Sequence, residues 1–441
     1  MDTIIRNATI VNEGRTIRGS VLIHDNIIQE VYEGDSPIPD SQFSELNCID
    51  ADGALLLPGI IDTHVHFREP GLTYKADIAS ESTAAAAGGV TSVLDMPNVV
   101  PPTTTLLRWQ ERMALGLSNS HVNYGCYMGA TADARKLEDC DAPAIKLFMG
   151  SSTGDMLVEG RKELTEVFRR AAEMGVPIVV HCEDPARISQ RMAEAKQLWG
   201  EDPEPKYHAW IRDAEACYRS SSLAAELAEL TGARLHLAHI TTAKEISLLN
   251  GTNVTGEVCV PHLLFCDEDY NRLGSLIKCN PAIKTRADRD ALRQALADGR
   301  LSTVGTDHAP HLLAEKQGGC VRAASGMPMV QFSLVSLLSL VDEGVLTLER
   351  IVEAMCHKPA TLFGIKQRGY IRRGYKADLV VVRRKDWTLH KEDILSKCAW
   401  SPLEGREFHW QVEHTFVNGQ LAYSLGKTGE GVRGEAILRQ H

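Results

Sequence analysis

The chain has 441 residues, of which 44% are hydrophobic and 24% charged, and this composition excludes a disordered chain because it can bury a large core. A net charge of −11 disfavours nucleic acid and anionic membrane surfaces as main partners. We find no apolar run near the roughly 18 residues of a membrane helix, no secretory signal, and 11 scattered cysteines without a C-x-x-C pair. We therefore expect reduced thiols and a cytoplasmic protein with no nucleic-acid or membrane partner.

Both ends of the chain carry short β-branched apolar segments separated by Gly, Asn and Asp, a pattern that predicts strands and tight turns. Asn418-Gly419 lies between two such segments and indicates a hairpin. Because β-rich segments occur at both ends and the middle of the chain has another pattern, we predict a small β domain built from residues 1–54 and 366–441. The last fifteen residues, KTGEGVRGEAILRQH, are polar, and we expect them to be mobile.

The middle of the chain, residues 55–365, alternates apolar runs with helix-like segments. Nearly continuous apolar strands with helical crossovers predict a parallel sheet that is covered on both faces. Eight such units favour an α/β fold of the (β/α)8 TIM-barrel kind, with an open doubly wound sheet as the alternative. The predicted strands lie in LLLPGIIDTHVHF, VTSVLDMP, HVNYGCYM, AIKLFMG, VPIVVHCE, RLHLAHI, NVTGEVCV and LSTVGTDHAP.

Histidines and an aspartate follow the carboxyl ends of several predicted strands. His64 and His66 end the first strand, and side chains two apart in a strand point the same way. His181, His239 and Asp307 end the fifth, sixth and eighth strands. Barrel active sites lie at this end of the strands, and imidazole with carboxylate suits zinc and similar ions. A metal site is therefore predicted, whereas His236 and His262 are interpreted as ordinary core residues.

Lys146 lies within the apolar strand AIKLFMG, at the level of His181 on the next strand. A cationic amine beside divalent metals would be repelled, but burial lowers the pKa of a lysine, and the neutral amine can take up carbon dioxide. The resulting carbamate is an anionic ligand able to bridge two metals. The alternative for Lys146 is a plain salt-bridge partner.

Taken together, PGIIDTHVHFREPG, GGVTSVLDMPN, AIKLFMG, VHCE, LAHI and GTDHAPH resemble the amidohydrolase superfamily, and within it the dihydroorotases of the long, type I kind. The resemblance runs over nearly the whole chain and implies a barrel with a composite β-sandwich. It implies reversible hydrolysis of dihydroorotate to N-carbamoyl-aspartate in pyrimidine synthesis, by a homo-oligomer, either a dimer or a tetramer. It also implies two divalent metal ions, with Zn²⁺ expected, bridged by carboxylated Lys146 and hydroxide.

The resemblance also assigns roles to individual positions. The metal ligands implied are His64, His66 and Asp307 for the more buried ion, His181 and His239 for the second, and Lys146 between them. Asp307 is in addition the implied catalytic proton shuttle. The implied substrate-binding residues are Arg68, Asn98, Asn280 and His311. A guanidinium suits the carboxylate of dihydroorotate, and related enzymes acting on hydantoin or allantoin lack an arginine two residues after H-x-H.

Some alternatives stay open in the sequence. Where the family often has N-P-P-L-R, this chain ends the motif with Lys284, so the role of that position is undecided. Asp155, in SSTGDML, is an alternative bridging ligand to Lys146. Residues 318–329 are a candidate lid. The alternative functions are another cyclic amidohydrolase, either a dihydropyrimidinase (hydantoinase) or an allantoinase, and a non-catalytic partner of another pyrimidine enzyme.

Overall fold

The computed structural model describes residues 2–34, 47–150 and 156–439. Its strands are β1 (Thr3–Asn12), β2 (Arg15–His24), β3 (Ile27–Glu33), β4 (Asn47–Asp50), β5 (Leu55–Pro58), β6 (Ile60–Val65), β7 (Val90–Asp95), β8 (Asn123–Cys126), β9 (Met128–Gly129), β10 (Ile145–Met149), β11 (Ile178–Cys182), β12 (Leu235–Leu237), β13 (Val254–Cys259), β14 (Thr303–Gly305), β15 (Leu379–Thr388), β16 (Glu407–Val417), β17 (Gln420–Ser424) and β18 (Lys427–Thr428). Its α-helices are α1 (Ile78–Ala87), α2 (Leu106–Asn119), α3 (Arg161–Glu173), α4 (Pro185–Trp199), α5 (His208–Ile211), α6 (Ala214–Thr231), α7 (Val260–Leu264), α8 (Tyr270–Leu273), α9 (Arg286–Ala297), α10 (Ser333–Asp342), α11 (Leu348–Val352) and α12 (Lys358–Leu362). None of these described helices is both long and apolar enough to cross a bilayer.

Strands β6 to β14 form the predicted barrel. They pair in parallel and in chain order, and β8 and β9 are two parts of one strand position, interrupted at Tyr127. A parallel bridge between Val65 and His308 connects the end of β14 back to β6, so the sheet is closed and the open doubly wound alternative is wrong. The strand interiors are buried along their length because helices cover the outside of the barrel.

The remaining strands, from both ends of the chain, form one nine-stranded sheet. Strand β5 pairs in parallel with β1 and antiparallel with β15, which joins the amino-terminal strands to the carboxyl-terminal ones. The predicted hairpin is confirmed: Asn418 and Gly419 connect β16 to β17 with φ values of 50° and 76°. Positive φ at both positions is what a two-residue hairpin turn requires. Strands from both ends of the chain therefore form a joint sheet, as expected.

Gly59 separates the two sheets. The predicted first barrel strand, LLLPGIIDTHVHF, contains two strands, because β5 pairs within the terminal sheet and β6 within the barrel. A Cβ on Gly59 would come within 2.2 Å of Thr91 Oγ1, so a larger residue could not pass this point without displacing the neighbouring strand. The chain thus passes from the terminal sheet to the barrel at Gly59. The division of the chain into two domains stays a proposal.

The carboxyl-terminal residues pack against the barrel as far as they are described. The Tyr124 amide donates to Glu435 O at 3.0 Å, and the Ile437 amide donates to Tyr124 O at 2.8 Å. The side chain of Ile437 is 2% exposed within an apolar cluster. The expectation of a mobile tail was thus wrong for residues up to 439, because these residues supply backbone partners to β8.

Ile437→Ala should lower the free energy of unfolding by about 2–4 kcal/mol, because it leaves a cavity in a buried cluster. Leu438→Ala is the matched control, since Leu438 is 39% exposed and its truncation should change the value by less than about 0.5 kcal/mol. Urea unfolding of the two variants measures the difference. Equal midpoints would show that the tail does not contribute to the packed core.

Candidate active site

A cavity of about 810 Å³ opens at the carboxyl ends of the barrel strands. Barrel enzymes place their active sites at this end because several strands deliver side chains there. The structure brings together all ten residues that the sequence singled out, and their individual roles stay predictions. The ten are His64, His66, Arg68, Asn98, Lys146, His181, His239, Asn280, Asp307 and His311. Asp155 lies outside the described residues.

The first cluster consists of two imidazoles and a carboxylate. The Oδ1 atom of Asp307 lies 3.0 Å from His66 Nε2 and 3.4 Å from His64 Nε2. Asp307 has a φ of 48°, in the left-handed region that a residue with a side chain rarely adopts. Such strain persists only where the surroundings impose it, and it is concentrated at functional sites.

The hydrogen-bond partners decide which imidazole nitrogens carry protons. His64 Nδ1 lies 2.6 Å from Glu257 Oε1, and His66 Nδ1 lies 2.9 Å from Asn98 Oδ1, so both Nδ1 atoms donate to acceptors. The unprotonated Nε2 atoms of both rings then face the Asp307 carboxylate. Burial lowers the pKa of His66 to about 4, so this ring is neutral at pH 7. Three electron-pair donors without a proton between them fit a bound cation.

His181 and His239 form a second cluster of the same kind. His181 Nε2 donates to Glu183 Oε2 at 3.0 Å, which leaves the lone pair of His181 Nδ1 facing His239 Nε2 at 3.0 Å. His239 Nδ1 has no hydrogen-bond partner among the described residues. Burial lowers the pKa of both rings and favours the neutral, metal-binding form. The pair therefore fits a second cation position.

Lys146 reaches the same cavity from β10. Its Nζ is buried and has no hydrogen-bond partner in the described part of the chain. The strand register places Phe148, not Lys146, opposite His181, so the expectation of equal height was wrong by two residues. Burial lowers the pKa of Lys146. An unpartnered ammonium here would be costly, and this fits a residue that is modified or bound to an anion.

Carboxylates behind the histidines were not predicted from the sequence. Glu257 contacts His64, and although burial acts to raise its pKa, the neighbouring imidazole lowers it to about 2. Glu183 contacts His181 and also pairs with Arg212. A signal was available, because Glu183 lies two residues after His181 and shares its side of the chain. Glu257 is a carboxylate inside an apolar strand, which is itself unusual.

The cavity is rich in positive charge although the protein is acidic. Among the described residues that line it, the cationic side chains outnumber the single carboxylate, and such an excess attracts anions. The sequence did not predict three of these cations. They lie in loops and short helices, where no sequence periodicity shows which side chains face the cavity. The cations are Arg68, Lys75, Arg212 and Lys278, together with Lys146 where its amine is unmodified, and the carboxylate is Asp307.

Two of the cations flank His311. Lys75 Nζ lies 3.2 Å from His311 Nδ1, and since an ammonium only donates, Nδ1 accepts and Nε2 carries the proton. Arg68 Nη2 lies 3.2 Å from the same Nε2, so two N–H donors stand side by side. Burial, assisted by Arg68 and Lys75, lowers the pKa of His311 to about 2. Ser325 O lies 3.1 Å from Nε2 and can accept its proton, whereas Arg68 forms no ion pair with a carboxylate of the described residues, and a carboxylate ligand would supply one.

The remaining sequence expectations have mixed outcomes. His236 is a core residue as interpreted, with its two nitrogens bonded to Thr255 and Thr303. Asn280 Oδ1 lies 3.1 Å from Nε2 of His208, a buried cavity residue that the sequence did not reveal. Lys284 is buried and donates to Ala282 O at 2.9 Å. Residues 320, 321 and 323–326 of the candidate lid line the cavity.

Residues 55–422 match the amidohydrolase family. The chain belongs to this family, and its place within it is with the dihydroorotases. The dihydroorotase of Halobacterium salinarum is 37% identical over 354 residues, covering 79% of this chain and 82% of the relative. That of Lactobacillus acidophilus is 32% identical over 438 residues, covering 97% and 100%. Among solved structures, an L-hydantoinase from Arthrobacter aurescens superposes with a TM-score of 0.92 at 28% identity, covering 99% of this chain and 100% of that one.

Glu257→Gln should weaken metal binding about 10- to 100-fold, because an amide orients His64 less firmly than the carboxylate does. Metal retained after dialysis against a chelator, measured by elemental analysis, tests this. Glu245→Gln is the matched control, because Glu245 is equally buried but bonds Ser221 and Thr242. If both variants retain the same amount of metal, Glu257 does not support the site.

Proposed function

We propose that this protein catalyses the reversible hydrolysis of (S)-dihydroorotate to N-carbamoyl-L-aspartate, a step of pyrimidine synthesis. The observation that carries the proposal is the pair of N–H donors on Arg68 and His311 within a cationic cavity. Dihydroorotate has a carboxylate that these donors can hold, whereas hydantoin, dihydrouracil and allantoin are uncharged rings. The names of the curated relatives support the same substrate.

We further propose that the two histidine clusters hold two divalent metal ions, with Zn²⁺ as the expected metal. The converging lone pairs and the soft-to-borderline nitrogen ligands support this choice. When bound, such ions acidify water and polarise a carbonyl oxygen, so that hydrolysis proceeds at neutral pH. The proposed ligands are His64, His66, His181, His239, Asp307 and carboxylated Lys146.

Asp307 is the proposed proton shuttle. An ionised carboxylate at this position can take the proton released by the attacking water and return it to the amide nitrogen as the ring opens. Arg68 and His311 hold the ring through its carboxylate, away from the bond that breaks, so they set binding more than turnover.

The alternative is a dihydropyrimidinase or hydantoinase, which the solved structures favour by fold. A dihydropyrimidinase from Brevibacillus agri also superposes with a TM-score of 0.91 at 26% identity, covering 100% of this chain and 99% of that one. The same barrel fold occurs in enzymes that act on many different substrates, so fold alone does not choose between them.

We also propose a cytoplasmic location, supported by the absence of any disulfide among the 11 cysteines, and a dimeric or tetrameric homo-oligomer.

Metal-replete protein should convert dihydroorotate and leave hydantoin, dihydrouracil and allantoin largely unchanged, as followed by ultraviolet absorbance.

Arg68→Met should raise KM for dihydroorotate about 10- to 150-fold with little change in kcat, because it removes a charge-assisted contact of about 1.5–3 kcal/mol. Arg135→Met is the control, since Arg135 is 90% exposed. Preference for an uncharged ring would reject dihydroorotate as the substrate, and an unchanged KM in Arg68→Met would show that the carboxylate is held elsewhere and remove the main support for this substrate.

Lys146→Ala should lose the second metal, and a short-chain carboxylic acid should restore part of the activity by taking the place of the carbamate. Lys146→Arg should not be restored, because the guanidinium fills the space and cannot take up carbon dioxide. A carbon-13 signal after labelling with bicarbonate detects the carbamate directly. An unmodified amine in active, metal-loaded protein would exclude the carbamate and shift the bridging role to Asp155 or to water alone.

A further inference from the structure

We propose that Lys316 is a positioning residue for substrate binding: its ammonium fixes residues 323–326, and through them the neutral, Nε2-protonated form of His311. Lys316 is fully buried and does not line the cavity. It follows Asp307 by nine residues, in the connection between β14 and α10. The inference deepens the proposed function and rests on it for the identity of the substrate.

Lys316 Nζ donates to three backbone carbonyl oxygens, those of Lys278, Ala324 and Gly326, at 3.0, 2.7 and 2.8 Å. None of the ion pairs among the described residues involves Lys316, and the neighbouring Glu315 contacts Lys75 and His311 instead. Burial lowers the pKa of Lys316 to about 7, but three acceptors need three N–H donors, and only the protonated amine has three. The carbonyl oxygens therefore favour the ammonium and converge on it.

The segment that Lys316 holds contacts the substrate end of the cavity. Ser325 O lies 3.1 Å from His311 Nε2, the atom that faces Arg68. The Gly326 amide donates to Lys278 O at 2.9 Å, and Ala323 O accepts from Lys278 Nζ. One buried ammonium thus ties together the backbone of two segments that both supply cavity residues.

Ser325 and Lys75 act on opposite nitrogens of His311. The carbonyl of Ser325 can only accept and the ammonium of Lys75 can only donate, so both select the ring with its proton on Nε2. If residues 323–326 shift, the Nε2 proton loses its acceptor and the ring is free to turn away from Arg68. The two donors would then no longer be aligned, which weakens substrate binding without touching the metal ligands.

Lys316→Met removes the three donors while keeping a long apolar side chain. We expect KM for dihydroorotate to rise about 10-fold or more, as for loss of a hydrogen bond to a charged group, with kcat and metal content near the wild-type values. Nitrogen-15 spectra of histidine-labelled enzyme should show the single Nε2-protonated pattern of His311 in the wild type and its loss in the variant. His311→Gln assigns the signals, and Lys358→Met, at an exposed lysine, is the control.

Gly326→Ala provides a second test that leaves Lys316 intact and applies if Lys316→Met does not fold. Gly326 has a φ of 133°, and an added Cβ would lie 2.7 Å from Ala309 O and 3.1 Å from His311 Cδ2, so the segment must move. We expect the same rise in KM and the same change at His311.

Folded Lys316→Met or Gly326→Ala protein with wild-type KM and unchanged His311 signals would overturn the inference. A lower kcat together with a higher KM, with unchanged His311 signals, would also overturn it, because this result indicates a merely structural role. If dihydroorotate proves not to be the substrate, the nitrogen-15 spectra still decide the role of Lys316, so the two proposals fail separately.

Discussion

The arrangement of His64, His66 and Asp307 is the constraint on which the rest of the site depends. Each imidazole gives its Nδ1 proton to an acceptor behind it, so the lone pairs of both Nε2 atoms face an ionised carboxylate. In a buried site such a convergence is unfavourable unless a cation occupies it. The barrel is therefore built around a position that requires positive charge, and the closing contact between Val65 and His308 lies directly beside it.

Charge is layered around this centre. Carboxylates lie behind the histidines, where Glu257 and Glu183 orient the rings through their protonated nitrogens. Cations lie in front, toward the cavity, where Arg68 and Lys75 surround a neutral His311. Such an excess of positive charge attracts anions, which agrees with the proposed substrate. The fold is shared with hydantoinases, but this cationic wall is the feature that distinguishes a substrate with a carboxylate.

The barrel strands and the connections between them support the site in different ways. The barrel supplies the proposed metal ligands from the ends of its strands, whose positions are fixed by the hydrogen-bonded ladder. The proposed substrate-binding residues come from connections, and these need contacts of their own to become rigid. Lys316 is such a contact, because it satisfies three carbonyl groups in two connecting segments, at Lys278 and at Ala324 and Gly326. Precision in this site therefore depends on buried polar groups as much as on secondary structure.

The sequence by itself predicted the barrel and its strand ends, because strand periodicity and parallel order place His64, His66, Lys146, His181, His239 and Asp307 at one end of the sheet. The other four cavity residues, Arg68, Asn98, Asn280 and His311, came only from the resemblance to dihydroorotases. It did not determine that β5 pairs in the terminal sheet and not in the barrel, or that the carboxyl-terminal residues pack at Tyr124. It also did not determine that Lys75 contacts His311 or that Lys316 holds the segment beside it. Those features arise from contacts between segments far apart in the chain. Lys75 and His311 are separated by 236 residues, so no local pattern records their approach. Only the folded chain brings such groups together, and their chemistry is decided by the partners that they meet there.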